Sequence, residues 1–139
     1  MKLKILITGG AGYIGSLLTE KLLNSDHMVT VYDNFMYDQS SLNHLCSNKN
    51  LSVVKGDVRN NNEILSILST FDVIIPLAAL VGAPICKFNS VGAKTVNYDS
   101  IDLLLRSGVD FERHRKKGIS VEFFTKLLFS SGLIFNEKI

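Results

Sequence analysis

Cysteine, long apolar runs and a surplus of one charge are what this 139-residue sequence has little of. Its two cysteines, Cys46 and Cys86, lie forty positions apart, with no CxxC pair and no partnering histidine spacing. That excludes a zinc site of ordinary pattern and a disulfide framework. Such sparing use of thiols points to a reducing, cytoplasmic setting. No apolar run approaches the ~20 residues that a membrane span needs. The apolar start of the chain is cut short at Gly9, too early for the core of a signal peptide, so a soluble, unexported chain without membrane partners is expected. Net charge is +2, from 15 Lys and Arg against 13 Asp and Glu. Composition alone therefore does not imply nucleic-acid binding.

What is present is ordinary for a packed globular protein. Apolar residues make up 46% of the chain and charged residues 20%, which argues against disorder. The charge is unevenly placed. Residues 1–105 carry eight basic and nine acidic side chains, net −1, whereas residues 106–139 carry seven and four, net +3. The same last segment holds five of the eight phenylalanines, Phe111, Phe123, Phe124, Phe129 and Phe135. The expected organisation is one domain over 1–106 and a divergent, basic, Phe-rich tail over 107–139.

The run Lys4 to Thr8 is apolar and β-branched without alternation, the pattern of a strand covered on both faces. Beyond the glycines that stop it, Ile14, Leu17, Leu18, Leu22 and Leu23 recur at helical spacing, which predicts a helix from Tyr13 to about Asn24. A strand at Met28 to Tyr32 follows, then a helix near Ser40 to Cys46, a strand at Leu51 to Lys55, a helix near Asn60 to Ser69 and a strand at Asp72 to Pro76. A loop from Ala79 to Gly92 and a helix near Ala93 to Arg106 close this region. Alternating strands and helices require right-handed crossovers and a parallel sheet with helices on both faces, so the fold class is α/β, a Rossmann-like doubly wound sheet.

The junction of the first strand and helix reads Thr8-Gly9-Gly10-Ala11-Gly12-Tyr13-Ile14-Gly15. Glycines three apart have a mechanical meaning here. Gly9 suits a tight turn out of the strand, Gly12 lets backbone approach a pyrophosphate, and Gly15 lets helix and strand pack closely. The helix N-terminus offers N–H groups and the positive end of its dipole to phosphate. Asp33, eighteen positions beyond Gly15 at the end of the second strand, is placed to accept hydrogen bonds from a ribose. That favours NAD and disfavours the extra phosphate of NADP. An Asp in a plain turn or cap would look the same, and Asn34 is compatible with either cofactor.

Together with Asp33-Asn34 after the second strand and Gly56-Asp57-Val58-Arg59 after the third, the glycine loop resembles the extended short-chain dehydrogenase/reductase family, in particular its NAD-dependent nucleotide-sugar epimerases and dehydratases. The resemblance covers roughly residues 3–105 and implies a dinucleotide cofactor and a nucleotide-sugar substrate. It implies that Tyr13 and Ile14 touch the pyrophosphate through their backbone, that Asp57 and Val58 flank the adenine, and that Leu77, Ala78 and Ala79 line the cofactor. Asn97, within Thr95-Val96-Asn97-Tyr98, resembles the helix Asn with which the family supports its active site; an exposed helix polar residue is the alternative. Where many members have His before the Leu-Ala-Ala segment, this chain has Pro76. Substrate contacts are implied in the stretch Leu80 to Cys86, where Cys86 is as well explained as a small buried residue as by a reactive thiol.

The family's acid-base chemistry uses a Tyr followed four residues later by Lys. The tyrosines are Tyr13, Tyr32, Tyr37 and Tyr98, and the residues four beyond them are Leu17, Met36, Ser41 and Asp102. No catalytic residue is therefore assigned, and the fold is expected to be incomplete relative to the family. Past Arg106 the resemblance stops. The run Arg113-His114-Arg115-Lys116-Lys117 has the charge for phosphate or nucleic acid, but a solvated loop or helix face accounts for it more simply. Ile119 to Phe124 fits a strand, and Phe123 to Phe135 fits an amphipathic helix or, equally well, an aggregation-prone remnant. His27, His44 and His114 fall in separate elements and read as solvent-exposed residues, with no metal cluster.

Three functions fit these observations: an NAD-binding part that is inactive alone, an enzyme completed by a partner chain, or a regulatory domain. In the last, the tail would mediate homo-oligomerisation or association with a full-length relative.

Overall fold

A computed structural model of the chain describes residues 2–107. The chain divides into two compact units after Ala78, and each is described separately.

The first unit is a four-stranded parallel sheet built from β1 (Lys4–Thr8), β2 (Met28–Asp33), β3 (Leu51–Lys55) and β4 (Val73–Pro76), in the order β3-β2-β1-β4. Register aligns Leu6 with Thr30 and with Ile74, and Val31 with Val53. Helix α1 (Tyr13–Asn24) joins β1 to β2, and α2 (Asn61–Leu68) joins β3 to β4. The parallel sheet with its helices is the α/β, Rossmann-like class that the alternation predicts.

The core follows from the uninterrupted apolar strands. Ile5, Leu6 and Ile7 of β1 are buried with Val29, Val31 and Tyr32 of β2. A strand flanked by neighbours on both sides must be apolar on both faces. β3 is a terminal strand, and Ser52 to Lys55 are exposed. The first helix stops where Ser25 closes its last turn and Asp26 takes the left-handed conformation (φ 61°), which lets the His27 N–H reach back to the Leu22 carbonyl. At the start of α2, Asn60 accepts from the Glu63 N–H while its own amide donates to the Glu63 carboxylate, a reciprocal cap.

Three sequence expectations need correction. In place of a helix over Ser40 to Cys46 there is a single tight turn, Asn43–Leu45. Only Leu42 and Leu45 in that stretch are buried, and a spacing of three suits one turn of 3₁₀ geometry. In the second unit, the expected loop from Ala79 to Gly92 contains two short helices, α3 (Ala83–Phe88) and α4 (Ser90–Lys94). Pro84 in the first turn of α3 and the Asn89 cap of α4 are their local start signals. The helix expected over Ala93 to Arg106 is not uniform either. It passes through a wide, π-type turn at Thr95–Asp99 before α5 (Ser100–Arg106), and π-type insertions of this kind are frequent at functional sites.

His27 is half-buried and accepts from the Leu3 N–H at 3.3 Å, so it is not the freely solvated residue that the sequence suggests. His44 is exposed, 3.5 Å from Glu20. Cys46 is exposed and Cys86 half-buried, both as free thiols. Among the described residues no helix is long and apolar enough to cross a membrane. The charged run at 113–117 and the strand and helix expected over 119–135 lie outside the described residues.

Candidate functional site

Because all four strands are parallel, their carboxyl ends share one edge of the sheet, the edge where open α/β folds bind ligands. Gly9, Asp33, Gly56 and Leu77 each directly continue or end one of those strands.

The glycine loop is shaped by close approaches. Gly9 has φ +72°, and a side chain there would stand 2.5 Å from the Ala78 backbone nitrogen, so this position admits glycine alone. A Cβ at Gly15 would collide with the Gly9 carbonyl and stand 2.6 Å from the Gly10 Cα. Gly12 differs. Its backbone is extended (φ −71°, ψ 178°), and the nearest protein atom to an added Cβ is the Gly9 oxygen at 3.2 Å. The first turn of α1 has no side-chain cap and no acidic residue, and Tyr13 and Ile14 are exposed at its mouth.

Asp33 is 7% exposed, and each carboxylate oxygen already takes one backbone N–H. Oδ2 accepts from Ala11 at 3.0 Å and Oδ1 from Phe35 at 2.9 Å. The second bond closes a turn that holds Phe35 in the left-handed region (φ 53°). Each oxygen keeps a further lone pair for another donor. The Ala11 peptide is gripped on its other side as well, because the Ser41 hydroxyl donates to the Ala11 carbonyl at 2.6 Å. Asn34 is exposed, and its side chain accepts from the Met36 N–H at 3.0 Å.

After β3 the chain turns at Gly56-Asp57-Val58. Tyr32, fully buried at the end of β2, lies directly under this turn, and a methyl group on Gly56 would land within its ring. The Tyr32 hydroxyl donates to the Asp57 carbonyl at 3.2 Å. Burial, the Glu63 carboxylate and then the Asp57 charge push this phenol up to about 12, so it remains a donor at any physiological pH. The Asp57 carboxylate accepts from the Arg59 backbone N–H and Nε, each at 2.9 Å, and the adjacent guanidinium holds it below the usual carboxylate range despite partial burial. Val58 is buried. Leu77 and Ala78 are half-buried, and the Leu77 N–H extends the sheet to the Thr8 carbonyl at 2.9 Å.

In this way one unit contains Gly9, Gly12, Tyr13, Ile14, Gly15, Asp33, Asn34, Asp57, Val58, Leu77 and Ala78. Ala79 and Asn97 belong to the second unit. There Asn97 is half-buried and makes a two-way clamp. Its Oδ1 accepts from the Leu80 N–H and its Nδ2 donates to the Leu80 carbonyl, both at 2.8 Å. It is therefore not an idle surface residue. The Cys86 thiol donates to the same Leu80 carbonyl at 3.4 Å. No group of metal-ligating side chains occurs among the described residues. Sequence reasoning missed Ser41, Ala11 and Tyr32, whose partners are distant in the chain.

The family model described as "NAD dependent epimerase/dehydratase family" matches residues 5–94. The chain belongs to this family. It is 33% identical over 109 residues to a UDP-N-acetyl-alpha-D-glucosaminuronate decarboxylase of Bacillus cytotoxicus, covering 78% of this chain and 34% of that protein. Among solved structures, the UDP-Glc/GlcNAc 4-epimerase of Campylobacter jejuni aligns with TM-score 0.66 and 28% identity, over 77% of this chain and 35% of the other. The Bordetella bronchiseptica enzyme WbmG, in complex with NAD and UDP, aligns with TM-score 0.63 and 26% identity, over 77% and 34%. This epimerase/dehydratase family chain thus spans about a third of the length of such relatives.

Proposed function

We propose that residues 1–106 are the NAD-binding domain of a nucleotide-sugar epimerase/dehydratase-like protein, with residues 107–139 a separate tail, and that the 139-residue chain binds the dinucleotide without turning over a sugar alone. One observation carries the cofactor reading. At Gly9 and Gly15 the protein's own backbone demands glycine, whereas at Gly12 no protein atom presses on the vacant Cβ position beyond one 3.2 Å contact. Glycine at that point keeps the mouth of an uncapped helix clear for a group from outside, as a pyrophosphate requires.

On this reading Gly12, Tyr13 and Ile14 hold the phosphates through backbone and helix dipole, and Gly9 and Gly15 shape the loop. Asp33 accepts from the adenosine ribose, with Asn34 beside it in the sequence. Asp57 and Val58 take the adenine, Leu77, Ala78 and Ala79 line the remainder, and Asn97 anchors the segment that follows through Leu80. The carboxylate of Asp33 disfavours the additional phosphate of NADP. NAD, when bound, supplies a hydride acceptor. The chain's own sequence contains no Tyr with Lys four positions later, so it offers no pair of the family's kind to move the substrate's proton. The UDP-sugar relatives support a nucleotide sugar as the substrate class, and the two free thiols fit a cytoplasmic location.

Calorimetric titration of the purified chain with NAD and with NADP tests the binding claim. The expected result is NAD binding at least about tenfold tighter than NADP, a difference of roughly 1.4 kcal/mol. Absence of NAD binding overturns the cofactor reading. Turnover of UDP-sugars by the isolated chain overturns the inactivity.

A further inference from the structure

The backbone ahead of helix α1 is held group by group. The Ala11 N–H donates to Asp33 Oδ2 at 3.0 Å, and the Ala11 carbonyl accepts from the Ser41 hydroxyl at 2.6 Å. The Gly12 N–H donates to the Gly9 carbonyl at 3.1 Å, and the Gly12 carbonyl accepts from the Ser16 N–H at 2.9 Å. Tyr13 and Ile14 come next. Their N–H groups have no acceptor among the described residues, as the first turn of a helix leaves them. The Tyr13 N–H shares a trans peptide with the Gly12 carbonyl, which points into the helix, so the N–H points out of its mouth.

Two of the side chains that fix this loop come from outside it. Asp33 ends β2 and keeps lone pairs for a ligand. Ser41 is different. It lies 30 positions from Ala11, it is half-buried, and its hydroxyl makes its one bond among the described residues to the Ala11 carbonyl. Buried Leu42 and Leu45 anchor the turn that follows it, and His44 of that turn stands 3.5 Å from Glu20 of α1. The segment is thus fastened by its own packing and delivers a hydroxyl to the loop. Because the Ala11 carbonyl and the Gly12 N–H belong to one peptide, the bond from Ser41 also keeps that N–H turned toward Gly9.

We propose that Ser41 is a positioning residue for the pyrophosphate: by holding the Ala11 carbonyl it fixes the Ala11–Gly12 peptide, and with it the aim of the Tyr13 and Ile14 N–H groups at the phosphates. This inference rests on the dinucleotide reading above. It separates the two ends of the ligand, since the adenosine part meets Asp33 and Asp57 and does not depend on where the Tyr13 N–H points.

The test titrates the full chain with NAD and ADP by calorimetry and with adenosine, which lacks the phosphates, by NMR. Ser41→Ala removes the hydroxyl and frees the peptide. It should weaken NAD and ADP by roughly fivefold each, while adenosine changes less than about twofold. Ser41→Thr keeps a hydroxyl and should bring NAD and ADP back to within about twofold of the native chain. Equal weakening of all three ligands means that Ser41 is merely structural, and unchanged NAD and ADP affinity in Ser41→Ala means that it positions nothing; either result overturns the proposal. So does a Ser41→Thr chain as weak as Ser41→Ala. A native chain that binds neither NAD nor ADP overturns the cofactor reading itself. If Ser41→Ala does not fold, Ser41→Cys, whose thiol is a weaker donor, must show the same split between ADP and adenosine.

Discussion

The sheet unit of residues 4–78 and the helical stretch of residues 79–107 are stabilised in different ways. In the sheet unit, fully buried Leu6, Ile7, Val29 and Val31 of the strands and Ile64 of α2 dominate, each contributing roughly 1.5 to 3 kcal/mol by burial. In the helical stretch only Leu80, Gly92 and Ser100 are buried, and Phe88 is 93% exposed. Its order comes instead from side chains bonding to nearby backbone. Asn97 holds Leu80, Asn89 caps Gly92, Thr95 bonds the Val91 carbonyl and Ser100 that of Val96. Such bonds contribute about 1 kcal/mol each. A glycine loop set on a packed sheet is overdetermined, whereas a segment tied by single polar bonds can be released one bond at a time.

Substitutions can break or sharpen this contrast. The largest effect is expected at Gly9→Ala, which combines a forced left-handed backbone with a collision against Ala78. A loss of about 3 kcal/mol or more should appear as cooperative unfolding of the whole sheet in urea. A merely local change would show the sheet to be less constraining than its packing implies. Asp33→Ala strips partners from the Ala11 and Phe35 N–H groups. It should cost about 2 kcal/mol and lower NAD affinity more than about tenfold by calorimetry; retention of both would separate Asp33 from loop and ligand alike.

Asn97→Ala is the counterpart in the second region. About 1 to 2 kcal/mol should be lost, seen as faster hydrogen exchange at the Leu80 amide while sheet amides stay protected. Global acceleration would contradict the local character argued above. Within α1, the Thr19 hydroxyl is fully buried with no hydrogen-bond partner among the described residues. Thr19→Val should therefore stabilise the sheet unit by up to about 1 kcal/mol, read as a raised melting temperature.

The smallest effect concerns Asp57 and Arg59. The folded state lowers the Asp57 pKa, so the pair's contribution is present above the ordinary carboxylate value of about 4 and is lost as pH falls through the depressed folded value. Both side chains are substantially exposed, which limits the contribution to a few tenths of a kcal/mol. Arg59→Gln should thus differ from the native chain by that amount at pH 7, with the difference shrinking as pH falls below about 4.

Legibility in the sequence follows the same division. Strands β1, β2 and β4 and helix α2 were readable because burial imposes an apolar pattern on each of them, whereas β3, exposed from Ser52 to Lys55, and α1, whose Ile14 and Leu17 are exposed, were readable from residue type and spacing. The glycine spacing was readable because it is a local backbone requirement. The tight turn at Asn43–Leu45 was overread as a helix, since two leucines three apart satisfy either element. Helices α3 and α4 were underread. Almost every residue from Val81 to Val91 is exposed, so no periodicity marks them, and only Pro84 and Asn89 signal their starts.

By itself, then, the sequence determined the parallel α/β order, the strand-loop-helix at Gly9 to Gly15 and the placement of Asp33 and Asp57 at strand ends, because each depends on neighbours a few residues away. Tertiary structure alone decided that Ser41 and Asp33 grip one peptide at Ala11, that Asn97 clamps Leu80, and that Tyr32 excludes a side chain at Gly56 while holding the Asp57 carbonyl. Those contacts join residues 17 to 30 positions apart. No local pattern encodes them, because each donor meets its acceptor only once the folded backbone has set the distance between them.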